Sequence, residues 1–302
     1  MVWDRVVGEP ASPWHPVGWF GRVMTRLEHH TYAAGLLPAI AYAAAGVSAG
    51  AAAGAAIGST SVVLGVCVAG RELRRVAGAL EAALRDGNLE HARVLLPSLV
   101  GRDPSTLDES QICAAVIESL AENTVDAVIA PICWAWWWGA PGAGAYRAIN
   151  TMDAMVGHHS ERFERFGWAA ARIDDVANYV PARVFAVLVA LSAPRRSAEV
   201  CRLVRRDASA HPSPNAGVAE SAVAAALGLR LGGTLRYDER VEHRPLLGHG
   251  RAPQPEDVAR AIALTSRAEH LLTACAAVLA TVGLIRGRRR PARRAIHLAR
   301  VV

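Results

Sequence analysis

The 302-residue sequence contains no lysine, so its net charge of +6 comes from arginine alone. Charged residues are scarce, at 20% of the chain, against the roughly 25% that is usual for a soluble domain. Hydrophobic residues make up 52%. A chain this apolar can bury enough surface to offset the entropy lost on folding, which excludes intrinsic disorder.

Cysteines and short catalytic motifs are also scarce. The five cysteines are widely spaced and form no C-x-x-C pair, which excludes a disulfide scaffold and a zinc ribbon. There is no P-loop, no dinucleotide-binding G-x-G-x-x-G and no G-x-S-x-G motif. Apart from one C-terminal cluster, the arginines are spread along the chain, so the basic composition does not indicate a nucleic-acid partner.

What is present is a long uncharged run over residues 31–70, rich in alanine, valine, leucine and glycine. A helix of about 40 residues reaches about 60 Å, twice the thickness of the bilayer hydrocarbon. We therefore expect two membrane crossings, joined near Gly50–Gly54. A pair of buried, alanine-rich helices in a soluble bundle is the alternative.

Three weaker apolar segments follow, at 127–146, 176–194 and 268–286. The first is interrupted by prolines and glycines and carries four tryptophans, which are typical of a membrane interface; we expect it to dip into the membrane and return. If the second crosses, residues 195–267 lie outside the cell; if it does not, the loop at 213–217 joins the site. Six arginines follow the third and favour a cytoplasmic C-terminus, although they also fit a basic tail or a nucleic-acid patch.

Amphipathic helices are expected between these segments, and no strand pattern is evident. Glu81 and Arg85 have the spacing of an i,i+4 ion pair, and Gly87 ends their helix. Ser105 or Thr106 is expected to cap the next helix. The predicted fold class is all-α: a polytopic integral membrane protein with amphipathic cytoplasmic helices, forming one membrane-embedded domain over residues 1–302.

Acidic residues border the apolar segments. Glu118, Glu122 and Asp126 recur at every fourth residue, and each step of four turns only about 40° around a helix, so the three share one face. Like charges at this spacing repel one another, and a bound cation would relieve the repulsion. A solvated acidic stripe is the alternative, but the apolar residues from 127 onwards place the stripe at the membrane boundary.

Two further polar blocks follow. Asn150 and Asp153 are one helical turn apart, as are Asp174 and Asn178, with Asp175 beside them. Acids and amides next to a bilayer are costly unless they serve ions or substrates. Hard oxygen ligands suit Mg²⁺, and the nearby arginines suit bidentate phosphate recognition. By chemistry alone, a Mg²⁺–phosphate site and a structural ion-pair network remain open.

Six blocks together resemble a known family, the membrane-bound adenosylcobinamide-phosphate synthases of the CobD/CbiB type. They cover most of the chain in the family's order: GEP (8–10), HPVGWFG (15–21), ESLAENTVD (118–126), YRAINTMDAMVGHH (146–159), FGWAAARIDDVANYVPAR (166–183) and SPNAGVAESAVAAALGLRLGG (213–233). The last block reads as a loop capping a helix that ends at 231–233. Ala127, Met152 and His159 depart from the family pattern, where glycine, leucine and lysine are expected.

The resemblance implies ATP- and Mg²⁺-dependent amide formation between adenosylcobyric acid, a corrinoid substrate, and (R)-1-amino-2-propanol O-phosphate or ethanolamine phosphate. It implies catalytic roles for Glu118, Glu122, Asn123, Asp126, Asp153 and Asp174. It implies substrate or phosphate binding by His15, Arg147, Asn150, Arg172, Asn178, Arg183 and Asn215. The metal ligands would be Glu122, Asp126, Asp174 and Asp175.

The resemblance further implies a multi-pass protein of the cytoplasmic membrane, in contact with lipid, with its active site facing the cytoplasm. It allows a homo-oligomer or association with other corrinoid-pathway enzymes. Two other classes remain open: a membrane sensor similar to the AmpE-type proteins, which need not keep the acidic blocks, and a transporter, since acids within a membrane also mark ion paths. Transporters often show two related halves, and no such repeat is evident.

Overall fold

A computed structural model describes residues 15–32, 35–101, 103–157, 162–237 and 240–298. The GEP block at 8–10 and His159 lie outside these ranges. The α-helices are α1 (Pro16–Thr31), α2 (Leu36–Ile57), α3 (Thr60–Cys67), α4 (Gly70–Arg85), α5 (Leu89–Leu95), α6 (Glu109–Thr124), α7 (Ala130–Met152), α8 (Trp168–Ser192), α9 (Ser197–Asp207), α10 (Ala216–Leu227) and α11 (Pro255–Leu298). Strands β1 (Arg230–Tyr237) and β2 (Arg240–Gly248) form an antiparallel hairpin. Single π-helical turns, Val125–Ile129 and Asp153–Gly157, flank α7 on its two sides.

One face of α2 is built from glycines spaced four residues apart, and it packs directly on α7. A Cβ atom at Gly50 would lie 2.5 Å from the carbonyl oxygen of Gly144, and one at Gly54 would collide with the carbonyl of Ala140. Small residues at this spacing let two helix backbones approach closely, as is common between helices in membranes. Gly50 and Gly54 are therefore packing residues inside one helix.

The chain turns after α2 at Gly58–Ser59, where Gly58 has a left-handed φ of 70°. The expected join near Gly50–Gly54 is thus wrong, because those glycines are held in the helix by their contact with α7. The expected second crossing within 31–70 is wrong as well. The α3 helix has 8 residues and, at about 1.5 Å per residue, is too short to cross a bilayer.

Helix α7 doubles back on itself, as the prolines and glycines of segment 127–146 predict. Trp138 and Gly139 leave the helical conformation, and Gly139 has a φ of 65°. Gly142 then packs against the carbonyl of Trp134, and the rings of Trp134 and Tyr146 stack with their centroids 6.3 Å apart. The two limbs of α7 therefore form a hairpin, with exposed tryptophans at its tip and both ends at the same level.

The largest hydrophobic cluster lies between α4, α6, α8, α10 and the first half of α11. Every residue of α10 is buried, and seven of its twelve residues are alanine or glycine. The start of α11 contributes Val258, Ala261 and Leu264. These helices thus share one hydrophobic core.

Helix α9 runs back along α8, so the loop at 213–217 lies beside the middle of α8. The side-chain amide of Asn215 donates to the carbonyl oxygen of Asp175 over 2.8 Å, and the Arg183 guanidinium donates to Asn215 Oδ1 over 3.0 Å. The loop at 213–217 therefore lies beside the acidic residues of α8.

Several local expectations are confirmed and others are wrong. Glu81 and Arg85 form their ion pair at 3.4 Å, and Gly87 ends that region with a φ of 69°. Helix α6 is capped by Asp108, and not by Ser105 or Thr106 as expected. Asp108 and Gln111 form a reciprocal capping box, which satisfies two backbone donors at once.

The β-hairpin is the main departure from the all-α prediction. Helix α10 ends at Leu227, because Gly228 takes a left-handed φ of 72°, and the chain continues into β1, where a helix end at 231–233 was expected. Gly232 and Gly233, with φ values of 84° and 107°, lie at an irregularity in the strand register. Glycine adopts these conformations more readily than other residues. In the sequence, the two glycines were mistaken for a helix terminus.

Three helices have the length and apolar composition to span a membrane: Leu36–Ile57, Trp168–Ser192 and Pro255–Leu279. On α8, Val176, Val180, Val187 and Leu191 are exposed, and their spacing places them in one stripe along the helix. These observations confirm a helical protein with several candidate membrane spans. Segment 127–146 is not among them, and its helix is broken at the tip.

Candidate active site

The two π-helical turns each carry an aspartate of the site. Asp126 lies in the turn Val125–Ile129, and Asp153 begins the turn Asp153–Gly157. A π turn inserts an extra residue into a helix and is frequent at functional sites. The Asp153 carboxylate lies where a Cβ atom of Gly157 would be, so a glycine is required there. The α7 hairpin brings the two turns together.

A chain of neutral partners links these acids to α8. Tyr146 Oη donates to Asn178 Oδ1 over 2.8 Å and lies 3.4 Å from Asp126 Oδ1. The Asn178 amide donates to Asp174 Oδ2 over 3.0 Å. Three separate segments, the first π turn, the second limb of α7 and α8, are therefore joined through side chains at one point.

Burial and mutual repulsion raise the pKa of the carboxyl groups. The pKa of Asp126 is raised well above its usual range, first by burial and then by the charges of Asp174, Glu122 and Asp153, while Arg147 opposes the rise. The pKa of Asp153 is raised to about 6 by burial and by Asp175 and Glu122. Carboxylates held this close favour either protonation or a bound cation.

Arg147 and Asn150 face Asp126 across a polar cavity of about 230 Å³, which Glu72 and Asn123 also line. Arg147 Nη1 donates to Asn150 Oδ1 over 3.3 Å. Its Nε is buried and meets no hydrogen-bond partner among the described residues. A guanidinium that lines a cavity suits an anionic group such as a phosphate.

His15 lies close enough to Arg147 for the two to interact electrostatically. Burial, and then the Arg147 charge, lower the pKa of His15, so the ring is neutral at pH 7. Its Nδ1 accepts a hydrogen bond from the Val17 backbone N–H over 3.2 Å and caps α1. The structure thus gives His15 a capping role at the edge of the site.

The acidic stripe on α6 divides between two environments. Glu122 is close to the aspartates and contributes to their raised pKa values. Glu118, one turn earlier, accepts a hydrogen bond from the Gly232 backbone N–H over 2.8 Å and so contacts the β-hairpin. Asn123 donates to both the carbonyl and the hydroxyl oxygen of Ser119, which holds its side chain against α6.

The predicted phosphate ligands on α8 lie at the margin of the site. Arg172 is 65% exposed and pairs with Asp175 at 3.7 Å. Arg183 stacks on the Tyr179 ring, 3.5 Å from its centroid, and binds Asn215. Arg183 and Asn215 thus fasten the 213–217 loop to α8, a structural role that the sequence did not indicate.

The donor set fits a magnesium ion in part. Within the described ranges, no group of three His, Cys, Asp or Glu side chains is placed to hold a metal ion. Oδ1 of Asp174, however, is buried with no hydrogen-bond partner among the described residues. Mg²⁺ typically takes one or two carboxylates and completes its shell with water and phosphate oxygens. The assignment of Glu122, Asp126, Asp174 and Asp175 as ligands stays a prediction.

The sequence of the chain matches a known protein family. The model of the CobD/Cbib protein family matches residues 1–265. The chain belongs to the CobD/CbiB family. The protein named cobalamin biosynthesis protein CobD of Mycobacterium tuberculosis (strain ATCC 25618 / H37Rv) is 43% identical over 298 residues, which cover 94% of each chain. Cobalamin biosynthesis protein CbiB of Salmonella arizonae is 38% identical over 287 residues, 87% of this chain and 90% of its own. No solved structure matches.

The CobD/CbiB resemblance drawn from the sequence is therefore confirmed. In this family member the structure brings together most of the predicted site residues: Glu122, Asn123, Asp126, Arg147, Asn150, Asp153, Asp174, Asp175 and Asn178. Arg172, Arg183 and Asn215 lie at the margin, and Glu118 faces the hairpin. Tyr146 was missed. Its position directly before Arg147, in a block full of polar residues, was the available signal.

Proposed function

We propose that the protein is a cobalamin-biosynthesis enzyme that forms an amide bond between adenosylcobyric acid and (R)-1-amino-2-propanol O-phosphate or ethanolamine phosphate, with ATP and Mg²⁺. The product is adenosylcobinamide phosphate. The observation that carries the proposal is that Asp126, Arg147 and Asn150 line one cavity, with Asp153 and Asp174 close enough to Asp126 to act on its charge, in a chain of the CobD/CbiB family.

The chemistry explains why these residue types are needed together. A carboxylate does not acylate an amine unaided, because its leaving group is poor, and phosphorylation of the carboxylate by ATP supplies a better one. Such a reaction needs positive charge at the phosphates and a base for the amine. Arg147 and Asn150 provide donors for phosphate oxygens in the cavity. Bound Mg²⁺, held by Asp126, Asp174 and neighbouring acids, would neutralise phosphate charge.

Asp153 is suited to act as the base. Its pKa of about 6 leaves it ionised at pH 7 but more basic than an ordinary aspartate, which matches the requirement for a general base near the working pH. Gly157 and the π turn hold its carboxylate in place. The resulting role is to take the proton that the substrate ammonium loses as its nitrogen forms the amide bond.

We place the site at the cytoplasmic face of the cell membrane, because ATP is cytoplasmic. The hairpin of α7 supports this arrangement. It returns the chain to its starting level, so that Asp126 and Asp153 share one side. A full crossing by segment 127–146 would have separated them.

A reconstitution experiment tests the proposal. Purified protein is mixed with adenosylcobyric acid, Mg-ATP and aminopropanol phosphate, and the amide is sought by mass spectrometry. We expect product, together with ATP hydrolysis that depends on the corrinoid, a dependence that neither a sensor nor a transporter predicts. Asp126→Asn should abolish amide formation, whereas Glu90→Gln, on the exposed side of α5, should not. Wild-type turnover by Asp126→Asn would remove this residue from the site.

A further inference from the structure

A second polar cavity, of about 140 Å³, lies beside the first. Its polar lining comes from α6, α10 and β2, and consists of Glu118, Ser119, Glu122, Asn123, Glu220 and Arg244. The remaining wall is the segment Leu99–Gly101. Neither Glu220 nor Arg244 was among the site residues predicted from the sequence.

The cavity is a built feature of the fold. Glu220 is 1% exposed and Glu118 is 3% exposed, so both carboxylates are held inside the protein. Glu118 is fixed by the Gly232 N–H, and a Glu220 oxygen lies 3.9 Å from His211 Nε2. Among the described lining residues, three are carboxylates and one is a guanidinium. The lining therefore presents both negative and positive charge, and it is complementary to a ligand that carries both an ammonium and an anionic group.

The two cavities are neighbours, since Leu99 and Asn123 line both. Leu99 and Asn123 therefore form a wall common to the second cavity and to the cavity that Asp126 and Arg147 line. At about 140 Å³, the second cavity is smaller than the first, at about 230 Å³, and suits a small ligand.

We propose that this second cavity binds the amino-alcohol phosphate, with Glu220 and its neighbouring glutamates on the ammonium and Arg244 on the phosphate. The inference rests on the proposed function and adds to it the place from which the amine enters. The ligand class is a short zwitterion with an ammonium at one end and a phosphate at the other. Arg244 supplies bidentate donors for the phosphate.

Steady-state kinetics of two variants test the site. Glu220→Gln and Arg244→Gln each remove a charge while keeping most of the side-chain volume. Each should raise the KM for aminopropanol phosphate about tenfold or more, the usual effect of losing a charge-assisted hydrogen bond, and leave the KM for ATP unchanged. The exposed Glu90→Gln and Arg75→Gln are matched controls and should behave as wild type.

Substrate fragments distinguish the two ends of the ligand. Propyl phosphate lacks the amine, and aminopropanol lacks the phosphate. Both should therefore inhibit the wild type more weakly than ethanolamine phosphate does. Glu220→Gln should lose its preference for ethanolamine phosphate over propyl phosphate. Arg244→Gln should instead lose its preference for ethanolamine phosphate over aminopropanol. A purely structural role of either residue would weaken all three ligands equally and would overturn the assignment.

Failure of this site is separable from failure of the proposed function. If the wild type forms the amide and neither variant changes the KM for the amine substrate, the second cavity is not the amine site, while the enzyme activity stands. If the wild type forms no amide, binding of ethanolamine phosphate is measured by titration calorimetry. Binding that both variants lose supports the cavity; no binding by the wild type overturns it.

Discussion

At the scale of single residues, the acids of the site are organised by neutral partners. The Tyr146 hydroxyl lies within hydrogen-bond distance of Asp126, and Asn178 donates a hydrogen bond to Asp174. Arg147 lines the same cavity as Asp126. Neutral donors orient a carboxylate without neutralising its charge, so the negative charge stays available for a cation or a substrate ammonium. An ion pair would have cancelled that charge.

Asp174→Ala tests this view of the charge. Removing the carboxylate leaves fewer oxygen ligands, so we expect a slower reaction together with a higher Mg²⁺ requirement. The measurement is the initial rate of amide formation against Mg²⁺ concentration, with Glu90→Gln as the surface control. A rate loss that no Mg²⁺ concentration alters would give Asp174 a role other than metal binding.

The residue types of the site were predictable, but their connections were not. The spacing of Glu122 and Asp126, and of Asp174 and Asn178, pointed to shared helix faces, and the structure brings these residues together. Tyr146 and Glu220 were missed, because an aromatic residue or a lone acid in an apolar stretch carries no periodic signal. Only the tertiary fold shows that Tyr146 reaches both Asp126 and Asn178.

At the scale of helices, the glycine face of α2 sets the distance between α2 and α7. Gly50→Leu should prevent close contact, because its side chain would meet Gly144 and Ala148. We expect the protein to lose about 1–3 kcal/mol of stability or more, which is the usual effect of overpacking. The loss of stability is detected as a lower temperature of thermal inactivation in detergent. Ala49→Leu, on the exposed side of α2, should have little effect, and equal losses in both variants would contradict the packing role.

A second inter-element contact fixes the end of the β-hairpin to α9. Buried Asp207 accepts from Arg206 and from the Gly248 N–H, the latter over 2.8 Å. These hydrogen bonds, led by that of Arg206, lower the pKa of Asp207 below its ordinary 3.8. The stabilisation is therefore complete above pH 3.8 and is lost as the pH falls through the lower pKa of the folded state.

Asp207→Asn should consequently destabilise the protein by about 1–3 kcal/mol at neutral pH, because a buried donor loses a charged acceptor. The difference from wild type should shrink as the pH falls below about 4, where the wild-type carboxyl also becomes protonated. Unfolding midpoints of the two proteins over this pH range provide the check. A difference that is constant with pH would mean that the charge of Asp207 does not stabilise the fold.

Elements with a regular pattern were predictable, whereas irregular ones were not. The proline- and glycine-rich segment 127–146 predicted the return of α7. The β-hairpin was missed because its glycines at 232–233 also fit a helix terminus, and the two π turns leave no mark in the residue pattern. Gly50 and Gly54 were mistaken for a turn, since a close helix contact and a chain reversal use the same residue.

At the scale of the whole molecule, the loop at 213–217 and the acidic residues share one side, because Asn215 binds the backbone of Asp175. Single cysteines at Ser98, which lines the cavity with Asp126, and at Ser209, both exposed positions, should therefore report the same side of the membrane. In a variant without native cysteines, an impermeant maleimide should label neither in intact cells and both in inverted vesicles. Labelling of only one position in intact cells would contradict this arrangement.

The α7 hairpin also limits how the chain can change in length. A helix turns once in about 3.6 residues, so one residue added to a single limb would rotate everything beyond it by about 100°. Asp126 and Arg147 stand across the base of the two limbs and would lose their alignment. Insertions and deletions should therefore be tolerated at the tryptophan tip, or as matched whole turns in both limbs. The depth of the hairpin can vary among relatives in steps of about 5.4 Å, while the width of its base cannot.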